Sequence, residues 1–154
     1  MRKPKPEKQG YVLNEKQLGT VGKAGEDAAC RLLTETGVSI LARNVRYGRK
    51  EIDVVATYGE HILFIEVKTR TIPENPGKSR FGAPSNSIDA DKKKNLIEAA
   101  RYWLEEHPAP SMFPRMDVIE VILKPSSDDK KASDPEGFEV VSIKHFENAF
   151  GMNF

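Results

Sequence analysis

A chain of 154 residues with a formal net charge of +1 has the length of one ordinary domain, enough to enclose a core without disulfide support. Its single cysteine, Cys30, excludes an intramolecular disulfide and points to a reducing, cytoplasmic setting. No apolar run approaches the ~20 residues of a membrane span, and the basic start lacks the apolar stretch of a signal peptide, so a cytoplasmic protein with no membrane partner is expected.

Charge is unevenly spread, with residues 1–20 at net +3 and the rest at −2. Nucleic-acid binding by the body of the chain would therefore need local basic patches or a neutralising metal. Residues 1–19, with Pro4, Pro6 and little apolar periodicity, read as a flexible basic arm ahead of a domain at 20–154. Gly19-Thr20-Val21-Gly22-Lys23-Ala24 is not a phosphate loop: its glycines are too close, and Ala24 stands where a hydroxyl should bind metal.

From about Gly22 to Thr36 the pattern becomes helical, with Ala28, Ala29, Leu32 and Leu33 as its apolar stripe and Gly37 as its stop. Glu26 lies three and seven residues before Ala29 and Leu33, which turns it toward the buried side. It is either a first-turn glutamate favouring the helix dipole or a third acid at a metal site. Cys30 reads as a small packing residue. Val38 to Tyr47 reads as a strand ending in the basic turn Tyr47-Gly48-Arg49-Lys50.

Next come Glu51 to Tyr58 and His61 to Arg70, two arms rich in Val, Ile, Phe and Thr around a Gly-containing break: a β-hairpin. With the turn at Gly59-Glu60, residues whose numbers sum to 119 face each other, so Asp53 meets Glu66. Directly opposed like charges on one sheet face destabilise unless something lies between them, and Mg²⁺ or Mn²⁺ takes carboxylate oxygens from neighbouring strands. Alternation puts Lys68 on the face of Glu66 and turns Leu63, Ile65 and Val67 into packing.

Thr71 to Ser87, with three prolines, two glycines and no periodicity, reads as a long loop. The next helix, capped by Ser87 or Asp89, runs to about Glu106 with Leu96, Ile97, Ala100, Trp103 and Leu104 on one stripe. Lys92 and Lys93 stand one turn before Leu96 and Ile97, on or near its inward side, although a lysine run is ordinarily a solvated face. Met116 to Leu123 is a strand, residues 124–137 have loop composition, and Phe138 to Ile143 is a last strand before a closing turn or short helix at 144–150. His61, His107 and His145 lack zinc-ligand spacing.

The order of these elements, and the acid on one strand followed on the next by Glu-x-Lys, resemble the restriction-endonuclease-like PD-(D/E)XK nuclease superfamily. A longer set of segments is more specific: Gly25-Glu26, Ile40 to Arg46, Glu51-Ile52-Asp53, Phe64 to Arg70, Ala100 to Leu104 and Arg115 to Val118. Together they resemble the YraN-like family of small bacterial proteins, which is similar to archaeal Holliday-junction resolvases. The resemblance implies an α/β fold with a mixed central sheet of about five strands, flanked by helices and carrying an antiparallel catalytic hairpin. It further implies Asp53 and Glu66 as metal-binding acids, Glu26 as the helix-borne acid beside them, Lys68 as the catalytic lysine and Lys92 as a second site lysine. Lys50 stands where that family usually has Gly.

The function expected is a Mg²⁺- or Mn²⁺-dependent DNA endonuclease, with branched or junction DNA as substrate and a homodimer as the acting form. Arg46, Arg49, Arg70, Lys78 and Arg80 would hold phosphates. The alternative is a non-cleaving nucleic-acid-binding module on the same fold, whose binding would weaken with salt and need no metal.

Overall fold

The computed structural model describes residues 15–72, 90–126 and 137–151. Helix α1 (Glu15–Glu35) is followed by strands β1 (Ser39–Tyr47), β2 (Lys50–Tyr58) and β3 (His61–Thr71), helix α2 (Ala90–Glu106), and strands β4 (Phe113–Pro125) and β5 (Phe138–Phe150). The strands form one mixed sheet in the order β1-β2-β3-β4-β5, with β3 and β4 parallel and every other pair antiparallel.

Two tight turns set the registers of the first three strands. Gly48 (φ 65°) and Gly59 (φ 58°) each occupy the first position of a two-residue turn, where a positive φ matches the twist of the flanking strands and suits glycine. The second turn pairs Tyr58 with His61 and carries the sum of 119 as far as Val54 with Ile65. The parallel partner of β3 cannot arrive through a hairpin. The chain crosses by way of α2 before β4 pairs along β3 from His61 with Phe113 to Thr71 with Leu123.

One helix covers each face of the sheet. Alternating residues Leu63 and Ile65 of β3, and Ile119, Val121 and Leu123 of β4, pack with Ala28, Ala29, Cys30 and Leu33 of α1. Ile62 and Phe64 pack on the other side with Leu96, Ala99, Ala100 and Trp103 of α2. Both strands are buried on both faces, as expected for a parallel pair covered by helices. Gly25 brings α1 close: a Cβ there would fall inside the side chain of Thr69 on β3. Cys30 is a buried packing residue, as expected.

Three boundaries differ from the sequence expectations. Helix α1 begins at Glu15, so the last five residues assigned to the arm are helical; residues 1–14 lie outside the described residues. Residues 144–150 continue β5 and form no closing turn or helix. Their charges suit the exposed side of an edge strand, which is why they did not read as one. Strand β4 also begins earlier, at Phe113. Of the expected loops, residues 73–89 and 127–136 lie outside the described residues. The ends of the second are held together by Ser126 N–H donating to the Gly137 carbonyl at 2.7 Å.

Candidate active site

The hairpin β2–β3 stops being a regular ladder where its acids begin. Backbone pairing ends at Val54 with Ile65, and one step further the carboxylate of Asp53 accepts the Val67 N–H at 2.8 Å. On the other side of β2 the pairing with β1 skips Asn44 and Asp53, and Asn44 has φ 52°. The alternation breaks at the same point: Ile52 and Val55, three residues apart, both join the α2 core, as do Val45 and Ala42 of β1. The distortion lets Asp53 reach toward β3 with its side chain where a straight strand would have presented its backbone.

Glu66 shares a hydrogen bond with Asp53, and both Lys68 and Lys92 act on its carboxylate. Burial pushes the Glu66 carboxyl above its ordinary value, against the pull of Lys92, Lys68 and the Asp53 hydrogen bond. Lys68 is held below its ordinary value by burial first and by Lys92 second, with Glu66 opposing; the two lysines are within hydrogen-bonding reach of each other, and Arg70 adds to the effect. Lys92, near the start of α2, is exposed and still acts on the Glu66 carboxylate. Four of the five expected catalytic residues therefore meet: Asp53, Glu66, Lys68 and Lys92.

Glu26 does not join them. Its carboxylate lies 3.7 Å from Arg43, whose guanidinium donates to Asp27 at 2.8 Å. Among the described residues no three His, Cys, Asp or Glu side chains gather as a metal-holding group. The arrangement thus offers a cation two acids, Asp53 and Glu66. Carboxylate oxygens of this kind suit Mg²⁺ or Mn²⁺. The donor set fits such an ion.

The expected phosphate-binding residues are more dispersed. Arg46 is engaged with Glu51 at 3.1 Å, Arg49 is exposed in the β1–β2 turn, and Arg70 is half-buried near Lys68. Lys78 and Arg80 lie outside the described residues. Lys50 is paired with Glu98 and stands over the Tyr102 ring at 5.5 Å from its centroid, which ties the start of β2 to α2.

Two buried acids escaped sequence reasoning. Asp117 on β4 is fully enclosed, and it accepts from Arg115 Nε and Nη2 at 2.9 Å each and from the Asn148 N–H at 2.9 Å, with His145 Nε2 at 2.7 Å. Its lowered pKa reflects burial, which opposes ionisation, outweighed by His145, Arg115 and the Asn148 amide. Glu120, 3% exposed, is the other. Arg115 and Asp117 at i and i+2 on a predicted strand are the signal that could have found the first; nothing local marks the second.

Residues 25–121 match the uncharacterised protein family UPF0102. A UPF0102 protein of Caldanaerobacter subterraneus subsp. tengcongensis is 34% identical over 131 residues, covering 85% of this chain and 94% of that one. One from Caldicellulosiruptor saccharolyticus is 33% identical over 138 residues, 90% of this chain and all of the relative. A third, from Moorella thermoacetica, reaches 41% identity over 102 residues, 66% of this chain and 80% of its own length. On the family match and these relatives together, the chain belongs to the UPF0102 family, the YraN-like proteins it resembles in its motifs.

Proposed function

We propose that this protein is a Mg²⁺- or Mn²⁺-dependent endonuclease acting on DNA, built on a restriction-endonuclease-like fold. The observation that carries the reading is the distorted end of the hairpin, where Asp53 accepts the Val67 amide beside Glu66, with Lys68 and Lys92 acting on the Glu66 carboxylate. Two acids and two ammonium groups converging on a partly buried spot have little use as packing, since burial disfavours each charge. They have a clear use in hydrolysing a phosphodiester.

A divalent ion on Asp53 and Glu66 would supply Lewis-acid polarisation of the phosphate and a more acidic bound water. The chain's own contribution is positional. Asp53 is fixed by the Val67 amide, so its second oxygen is aimed and not free to rotate. Lys68 and Lys92 set two positive charges where negative charge develops on the phosphate oxygens, in surroundings that water screens only in part. The mixed five-stranded sheet with a helix on each face supports the fold assignment. The buried single cysteine fits work inside a reducing compartment.

Branched DNA is the substrate class we favour, from the resemblance to junction resolvases, and a two-fold dimer would match the two symmetric cuts of a junction. The test is cleavage of labelled duplex, single-stranded, flapped and four-way-junction DNA in Mg²⁺, Mn²⁺ or EDTA, with Asp53→Asn alongside. Metal-dependent cutting by the wild type, reduced about 1000-fold or more in the variant at unchanged melting temperature, is expected. Undiminished cutting by Asp53→Asn sinks the assignment. Salt-sensitive binding without cutting by either protein would favour the binding module.

A further inference from the structure

Of the exposed aromatic side chains among the described residues, Tyr58 and Phe113 stand at the end of the sheet opposite the candidate site, where β2 ends and β4 begins. Tyr102 stands beside the site. It is 43% exposed on α2, its ring 5.4 Å from that of Tyr47 and 5.5 Å from the Lys50 ammonium. Tyr47 and Lys50 face each other across the β1–β2 turn, and Asp53 follows Lys50 by three residues, about 10 Å of extended strand.

The charges around this ring do not cancel. Residues three and four apart are neighbours on a helix, so Lys94, Glu98, Arg101 and Tyr102 share the outer face of α2, away from Leu96, Ala99 and Trp103 in the core. Lys50 reaches Glu98 from β2, and Lys94 and Arg101 act on the same carboxylate. Three cations thus share one acid. Arg49, exposed at the tip of the turn, adds a fourth, while Glu106, one helical turn beyond Tyr102, accepts from the Tyr47 hydroxyl at 3.2 Å and bounds the patch. A water-facing ring among unbalanced cations matches the chemistry of an unpaired nucleotide, with a flat base for the ring and phosphates for the cations. Inside a duplex each base is already stacked and must be unstacked before it can offer a face.

We propose that the Tyr102 patch holds the single-stranded segment of a flapped DNA, stacking an unpaired base on the ring and seating neighbouring phosphates on Lys50, Lys94 and Arg101. The inference rests on the nuclease reading above and narrows its substrate to DNA whose unpaired strand leaves the duplex close to the cut. A fully paired four-way junction offers Tyr102 no base.

The experiment is fluorescence anisotropy in EDTA, where no metal-dependent cutting occurs, with a labelled blunt duplex and the same duplex carrying a thymidine flap. The wild type should bind the flapped DNA about tenfold more tightly. Tyr102→Ala should weaken flap binding about tenfold and leave the blunt duplex within about twofold, while Tyr102→Phe, which keeps the ring, should stay within about twofold of wild type on both. Lys94→Ala changes an exposed side chain and leaves the core intact; it should weaken flap binding and lower its salt slope by about 0.7. The proposal is overturned by flap binding within about twofold in Tyr102→Ala, by equal losses on flap and duplex, by a loss that Tyr102→Phe shares, or by a wild type that does not prefer the flap. An unchanged salt slope in Lys94→Ala overturns it too, and that arm still decides if melting curves show Tyr102→Ala unfolded. Cutting by the wild type with flap binding indifferent to Tyr102 ends this inference and leaves the nuclease reading standing. Ring-dependent flap binding without cutting supports the patch and ends the nuclease reading.

Discussion

Asp117, fully buried, and the half-buried Asp53–Glu66 pair lie on the same sheet, yet they are built on opposite plans. Asp117 faces a guanidinium fork, an imidazole and a backbone amide, so both oxygens are satisfied by the protein. Asp53 and Glu66 face each other, and the nearest cations are two flexible lysines that also crowd one another. The first arrangement is closed and lowers the acid's pKa; the second is open, and burial raises that of Glu66. A closed acid fastens β4 to β5. An open one leaves capacity for something the chain does not supply.

The sharpest way to break this contrast is to remove the closed acid. Asp117→Asn leaves Arg115 buried beside a neutral group, and a loss of about 3 kcal/mol is expected in urea unfolding. A loss below about 1 kcal/mol would show that the cluster is not a fastener. The same acid predicts a pH dependence. Its pKa is lowered on folding, so its contribution is complete above the unfolded value of about 3.9 and disappears as pH falls through the folded one. The wild type should therefore lose stability on acidification through that window, and Asp117→Asn should lose less.

Gly25→Ala probes the wall shared by the two regions. The added methyl meets Thr69 on the site strand, and about 1–3 kcal/mol of destabilisation is expected in thermal unfolding. An unchanged melting temperature would mean that α1 can slide. The smallest effect belongs to the open acid. Glu66 has a raised pKa, so its ionisation costs stability as pH rises through that value. Glu66→Gln should be neutral or slightly stabilising at neutral pH, by about 1 kcal/mol or less, while abolishing metal-dependent activity. Clear destabilisation of that variant would make the pair a structural feature after all.

Much of this was legible in the sequence because it is local. Gly59 placed the turn and the turn fixed the sum of 119 as far as Val54 with Ile65; the expected direct pairing of Asp53 with Glu66 is not part of that ladder, because Asp53 turns its carboxylate to the Val67 amide. Lys92 was legible through the family resemblance, since its spacing from Leu96 alone left it in a lysine run that ordinarily forms a solvated face, and it is exposed. The distortion at Asn44 and Asp53 was not, since a positive φ at an Asn inside a strand leaves no mark on the hydrophobic pattern. The partners of Asp117 lie up to 31 residues away on an edge strand whose charges concealed it. Glu26 looked equivalent to the hairpin acids because helix periodicity shows only which way a residue points. Which cation it meets, here Arg43, depends on where β1 lies.

The parallel partnership at the centre of the sheet also orders events in time. Residues 54 and 65 are joined by a short hairpin, whereas β3 and β4 must wait for some fifty intervening residues to be gathered. Local closure is entropically cheap and distant closure is slow. The two hairpin acids are therefore expected to meet while their surroundings are still wet, and to become sheltered only when β4 docks with Asp117 and Glu120. Pulsed hydrogen exchange during refolding checks this order: amides 54–57 should be protected before Val118 to Leu123, and the reverse sequence would refute it.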